Sequence, residues 1–115
     1  MFALTDSQKF HLYTKPADMR KSFNGLSGLV RTGFQKNPLS GEVFIFINKK
    51  RNMMKILHWQ NGGFLLYFKR LEKGTFEILK QEKHDDEIKI SYTKLAMIIS
   101  GISVKNICKR KRFSK

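Results

Sequence analysis

The dipeptide Asn61-Gly62 falls between two runs of strand-forming residues, Met53 to Gln60 (MMKILHWQ) and Gly63 to Leu71 (GFLLYFKRL). A type I′ turn needs positive φ at both central positions, and asparagine followed by glycine supplies it most readily. The pair therefore predicts a tight antiparallel hairpin. Upstream, Val43 to Ile47 (VFIFI) is rich in β-formers and too short for an independent helix, so it reads as a buried central strand. Lys49, Lys50, Arg51 and Asn52 interrupt the apolar pattern between these runs, which predicts an earlier hairpin with a basic tip.

The flanks read less regularly. Lys9 to Thr14 (KFHLYT) has the composition of a short strand, stopped by Lys15 and Pro16 because proline lacks a ladder donor and restricts its predecessor. Asp18 is a favoured N-cap, and Met19, Phe23, Leu26 and Val30 recur at helical spacing, so a helix is expected from about Asp18 to Gly33. Gly25, Gly28 and Gly33 each lower helix propensity by ~1 kcal/mol relative to alanine, so packing must hold that helix. After Glu72, Lys73 and Gly74, Thr75 to Leu79 suggests another short strand, and the wholly polar Lys80 to Glu87 a surface loop. Ile88, Ile90 and Tyr92 alternate as in a strand, and Leu95, Ile98, Ile99 and Ile102 follow helical spacing, with Gly101 near the helix end. The expected fold is α+β: an antiparallel β-meander of about four to five strands packed with an N-terminal and a C-terminal helix. Residues 1–104 would form a single domain, as suits a chain of 115 residues, and residues 105–115 a basic C-terminal tail.

Charge narrows the function. The chain holds 23 Lys and Arg against nine Asp and Glu, a formal net charge of +14. Such an excess repels itself unless a polyanion neutralises it, which points to DNA, RNA or an anionic surface. The last eleven residues carry six cations and no acid, leaving +8 on the rest. With Cys108 as its single cysteine the chain can form no internal disulfide, and no run approaches the ~20 apolar residues of a membrane span. A cytoplasmic protein without membrane partners is expected.

Covalent chemistry finds little support. His11, His58, His84 and Cys108 are isolated, and none sits in a metal-ligand spacing. A metal-dependent nuclease needs two or three converging carboxylates. Asp18 reads as a helix cap, Glu72 lies beside Arg70 and Lys73, and Asp85, Asp86 and Glu87 fall in a loop. A nuclease built on Asp18, Glu42 or Glu72 therefore ranks below a binding role, and neither catalytic residue, metal nor cofactor is expected. What remains is basic and aromatic. Lys49, Lys50, Arg51, Lys55, Lys69 and Arg70 could gather on one side of the meander to bind phosphate, with Trp59, Tyr67 or Phe64 available for base stacking if exposed.

The segments PADMRKSFNGL (Pro16 to Leu26), NPLSGEVFIFIN (Asn37 to Asn48), KILHWQNGGF (Lys55 to Phe64) and KRLEKGTF (Lys69 to Phe76) resemble, in order and spacing, the TnpB-type accessory protein of insertion-sequence family 66. The resemblance spans Leu12 to about Ile102. It implies a protein encoded beside a separate, larger transposase and needed for the element to move, and it attaches no catalytic role to any residue. The family's recurring positions correspond here to Asp18 to Ser22, Ser40, Gly41, Phe44, Phe46, Arg51, Lys55, Leu57, Trp59, Gly63, Phe64 and Lys69 to Glu72. Two features depart from the pattern: Gln60, where many members carry an acid, and the basic end Lys105 to Lys115.

These readings together describe a transposition accessory protein that binds DNA and assists a separate transposase. Phosphate contacts are expected from Arg20, Lys21, Lys49, Lys50, Arg51, Lys55, Lys69 and Arg70, and from Lys109, Arg110, Lys111 and Arg112 in the tail. The alternative is an adaptor that engages the transposase without touching DNA. Oligomeric state is not legible.

Overall fold

The computed structural model describes residues 8–77 and 87–100. They form five strands and two helices: β1 (Phe10–Tyr13), α1 (Phe23–Leu29) with a π-helical extension (Val30–Phe34), β2 (Val43–Ile47), β3 (Met53–Gln60), β4 (Gly63–Arg70), β5 (Glu87–Ile90) and α2 (Tyr92–Ser100). The strands make one sheet in the order β4-β3-β2-β1-β5.

Both expected hairpins are present. Asn61 and Gly62 adopt φ of 52° and 81°, and β3 pairs with β4 without a break from Met53↔Arg70 to Gln60↔Gly63. The β2–β3 pair runs from Val43↔His58 to Ile47↔Met54. The meander is nevertheless incomplete. β1 lies parallel to β2, with Phe10 beside Val43 and Leu12 beside Ile45, and antiparallel to β5. Parallel neighbours need a crossover of a dozen or more residues, and the link from Thr14 to Glu42, which contains α1, supplies it. The sheet is therefore mixed, with a βαβ unit at its centre.

That unit explains why all five residues of β2 are buried. The α1 layer covers Phe44, Phe46 and Leu57 with Leu26, Val30 and Phe34. The α2 layer covers Val43, Ile45, Ile47 and Ile56 with Leu95 and Ile98. An uninterrupted apolar run is what a strand covered on both faces requires.

The first helix is shorter than its apolar spacing suggests. Asp18 caps no helix: its Oδ1 accepts the Arg20 backbone N–H at 2.9 Å, a local turn that competes with helix formation. The Lys21 carbonyl, free to serve a longer helix, instead accepts Lys55 Nζ at 2.7 Å. The helix starts at Phe23, with Ser22 in the capping position and its carbonyl bound to the Leu26 N–H at 2.8 Å. At the other end Gly33 is not the terminator. It lies inside the π-helical turn, where a Cβ would come within 2.7 Å of the Tyr13 ring. Gln35, left-handed at φ 55° and ψ 44°, ends the helix instead.

The strand expected at Thr75 to Leu79 is absent as far as Glu77: Thr75 to Glu77 is irregular, with Phe76 fully buried and its N–H on the Arg51 carbonyl. Residues 78 and 79 lie outside the described residues, as do most of the polar loop and the whole tail. Ser91 caps α2, its hydroxyl accepting from the Lys94 N–H and its carbonyl from the Leu95 N–H.

Two predictions concern stability. A non-glycine residue in the left-handed region costs roughly 1 kcal/mol, so Gln35→Gly should raise the free energy of unfolding by about that amount in denaturant titrations. His58 on β3 is 3% exposed, and burial lowers its pKa below the ordinary 6.5 against a smaller opposing effect of a hydrogen bond with the Gly41 backbone. The unfolded imidazole then takes up a proton more readily than the folded one, so its contribution is intact above pH ~6.5 and lost as pH falls below that value. Melting temperatures compared between wild type and His58→Gln should converge as the pH is lowered from neutral to 5.

Candidate nucleic-acid interface

One end of the sheet carries three consecutive exposed cations. The carboxyl ends of β1, β2 and β4 and the start of β3 meet there. The turn between β2 and β3 carries Lys49, Lys50 and Arg51, all exposed. Arg51 has a positive φ of 61°, a conformation that a local hydrogen-bond network holds in place. The Asn48 side-chain oxygen accepts the N–H groups of Asn52 and Met53, each at 3.0 Å, while its amide donates to Asn52 Oδ1 at 2.8 Å. The Asn48 N–H reaches the Met53 carbonyl, and the Arg51 N–H the Asn48 carbonyl. From outside the turn, Leu71 N–H donates to the Asn52 carbonyl and Phe76 N–H to the Arg51 carbonyl, at 2.7 and 2.6 Å. The tip is thus tied on two sides, and its cations project from an ordered backbone.

Beside the tip lies a cleft of about 290 Å³ lined by Tyr13, Thr14, Lys15, Pro16, Ile47, Asn48, Lys49 and Arg51. A bond from Ala17 N–H to the Ile47 carbonyl at 2.9 Å holds its two walls together. Three of the lining side chains are cationic and none is acidic. It opens at the carboxyl ends of the parallel pair β1 and β2, the end at which open α/β sheets commonly bind ligands.

The remaining expected cations do not form one patch with the tip: Lys55 on β3 and Lys69 on β4 belong to successive cross-strand pairs, which alternation sends to opposite faces. Lys69 turns to the α2 side, where its ammonium donates to the Ile99 carbonyl at 2.8 Å and offsets the negative end of that helix. Lys55 turns to the α1 side and is only 9% exposed, its ammonium bound to the Lys21 carbonyl and lying 5.2 Å from the centre of the Phe68 ring. Its position braces the start of α1. Arg70 stays at the tip end, opposite Met53, and pairs with Glu72 at 3.2 Å.

Arg20 is 91% exposed but grips Asp18 through Nε and Nη2, at 3.1 and 2.8 Å. That hydrogen bonding holds the Asp18 carboxyl at a pKa of about 2. Lys21 is half-buried, its stem packed against Gly25. Lys109, Arg110, Lys111 and Arg112 lie outside the described residues. Of the expected cations described, Lys49, Lys50 and Arg51 are therefore exposed with no ion pair among the described residues.

Trp59 and Phe64 are half-buried against each other, ring centres 4.9 Å apart, and Tyr67 packs on the α2-side core. The more exposed aromatics are Phe23 and Phe68. Among the acids weighed for metal chemistry, Asp18 binds Arg20, Glu72 binds Arg70, and Glu42 Oε1 meets the buried His11 Nε2 at 2.5 Å. Lys15 and Asn48 were not among the expected contacts. A sequence signal existed for Asn48, since Asn48 and Asn52 bracket the basic turn four residues apart, the spacing that lets one amide tie the other's backbone.

The family model described as IS66 Orf2 like protein matches residues 8–109, reaching into the basic tail that the motif pattern left out. Two uncharacterized proteins of Sinorhizobium fredii are similar. The one designated y4jC is 31% identical over 89 residues, covering 77% of this chain and 74% of the relative. The one designated y4hO is 34% identical over 90 residues, covering 77% of this chain and 76% of the relative. No solved structure matches.

The network at the tip yields a prediction. Asn48→Ala leaves two backbone donors without their acceptor and should destabilise the fold by about 1–3 kcal/mol, whereas Asn48→Asp, which keeps the acceptor, should lose less. Thermal melts of the two variants against wild type measure the difference.

Proposed function

The chain belongs to the IS66 Orf2-like family, and from that premise we propose that it is a transposition accessory protein that binds DNA through the Lys49-Lys50-Arg51 tip and its adjoining cleft, assisting a separate transposase. The observation that carries this reading is the concentration of cations on an ordered turn, with none of the three paired to an acid among the described residues. Ammonium and guanidinium groups held in that way meet backbone phosphates without first breaking internal ion pairs. Arg20 and Arg70 add contacts only in exchange for Asp18 and Glu72. The tail's six cations contribute further affinity of the sequence-independent kind. Phosphate contacts of this sort fix position and orientation on a duplex.

The family supports association with the element's transposase. A DNA-bound accessory with a fixed orientation would give that enzyme a platform beside the element's ends.

Salt dependence is the direct test. Each phosphate contact adds roughly 0.9 to the slope of log K against log salt on duplex DNA. Changing Lys49, Lys50 and Arg51 together to alanine should flatten the slope by about 2 to 3 and weaken binding to element-end and scrambled duplexes alike. A chain stopped after Val104 should lose the tail's share and keep the tip's. An unchanged slope in the triple variant would remove the tip from the interface. A flat salt response of the full chain would remove DNA binding itself.

A further inference from the structure

The two edges of the sheet are unequal in their protection. β5 is four residues long and alternates Glu87, Ile88, Lys89 and Ile90. A short, charged edge strand discourages pairing with other chains. β4 at the other edge is eight residues long and carries no proline, and its unbroken register with β3 leaves no bulge. Its central run, Phe64 to Phe68, is uncharged. Gln60 and Gly63 close a two-residue turn, so they form a hydrogen-bonded pair. Alternation along the ladder then turns the N–H and C=O groups of Phe64, Leu66 and Phe68 away from β3. No described residue pairs with that edge. Apolar side chains border it on both faces: Phe68, 52% exposed, on the α1 side, with the 42% exposed Phe23 stacked on Phe64, and Leu65, 37% exposed, on the α2 side.

We infer that two copies of this chain associate through the outer edges of β4, pairing antiparallel about Leu66 so that their sheets become continuous. The strand is complementary to itself in that register. Phe64 falls opposite Phe68 of the second copy, Leu66 opposite its own counterpart, and Leu65 opposite Tyr67. Each pair shares a face, and the outward-facing backbone groups of Phe64, Leu66 and Phe68 find one another. Lys69 comes opposite Gly63 and Arg70 opposite Gly62, so no cation faces a cation. Centring the pair on Tyr67 instead would set Arg70 against Phe64 and Lys69 against Leu65, losing the aromatic match. Cross-strand aromatic pairs and unopposed charges both favour the first register.

A chain of net charge +14 repels its own copy, so this association strengthens as salt is added, opposite to DNA binding. Sedimentation of the full chain without nucleic acid, over a concentration series at low and high salt, tests it. The expected result is a reversible monomer–dimer equilibrium, tighter at high salt. Phe68→Glu places an anion beside Lys55 of its own chain, which preserves the fold while removing both aromatic pairs, and should raise the dimer dissociation constant about tenfold or more. Phe68→Leu, which keeps an apolar side chain opposite Phe64 of the second copy, should weaken association less than Phe68→Glu. In a Cys108→Ser background, Leu66→Cys should give a covalent dimer on oxidation and the exposed-loop variant Leu39→Cys should not. A monomer at every concentration and salt, wild-type association by Phe68→Glu, or no cross-link at position 66 would each overturn the inference. A monomer that still binds DNA with a steep salt slope would overturn this inference alone.

Discussion

β2 is apolar at every position, and a strand of that kind is stable only if both faces of its sheet are covered. The rest of the molecule answers that requirement. The link from β1 to β2 must place a helix on one face, and the chain after β5 must place one on the other. With helices on both sides, the open surface left to the sheet is its rim, and it is at the rim that the cations of the β2–β3 turn and the apolar edge of β4 are found.

The same constraint sorts the positive charge. A lysine whose stem lies on the covered face of a sheet strand is drawn toward the layer above it, so Lys55 on β3 reaches a backbone carbonyl and Lys69 on the edge strand β4 the end of a helix. Both ammonium groups become part of the frame, each fixing where a helix begins or ends. Lys49, Lys50 and Arg51 at the turn are exposed and form no ion pair among the described residues. Position relative to the two helical layers, more than the number of basic residues, separates the cations built into the frame from those left exposed.

What could be read in advance follows from how local each interaction is. The hairpins were legible because the Asn61-Gly62 pair and the basic interruption at Lys49 to Asn52 act over a few residues. The Arg70–Glu72 pair was legible for the same reason, its partners being two positions apart. The parallel setting of β1 was not, because its neighbours are fixed by a crossover and by a strand near the far end of the chain. The start of α1 was misplaced at Asp18 because the carbonyl that matters, at Lys21, is taken by a lysine 34 positions away. The apolar stripe from Met19 is nevertheless real, since Met19 packs on the α1-side core although it precedes the helix. Membership of the family was legible in the four motifs, and the matched region confirms it while reaching further into the tail. Among the described residues, no helix is long and apolar enough to cross a membrane.

The insertion of β1 between β2 and β5 also bears on assembly. The β2–β3 and β3–β4 turns close over a few residues, whereas Phe10 must find Ile90 across most of the chain. Closing a long loop loses more entropy before any contact compensates it, so loop-closure entropy favours forming the local three-stranded ribbon ahead of the β1 pairing. β1, which precedes the other strands of the sheet, is thus the strand whose seating carries the largest loop-closure cost. A ribbon formed in that order would carry its basic turn before the place between β2 and β5 is filled by the strand made ahead of both.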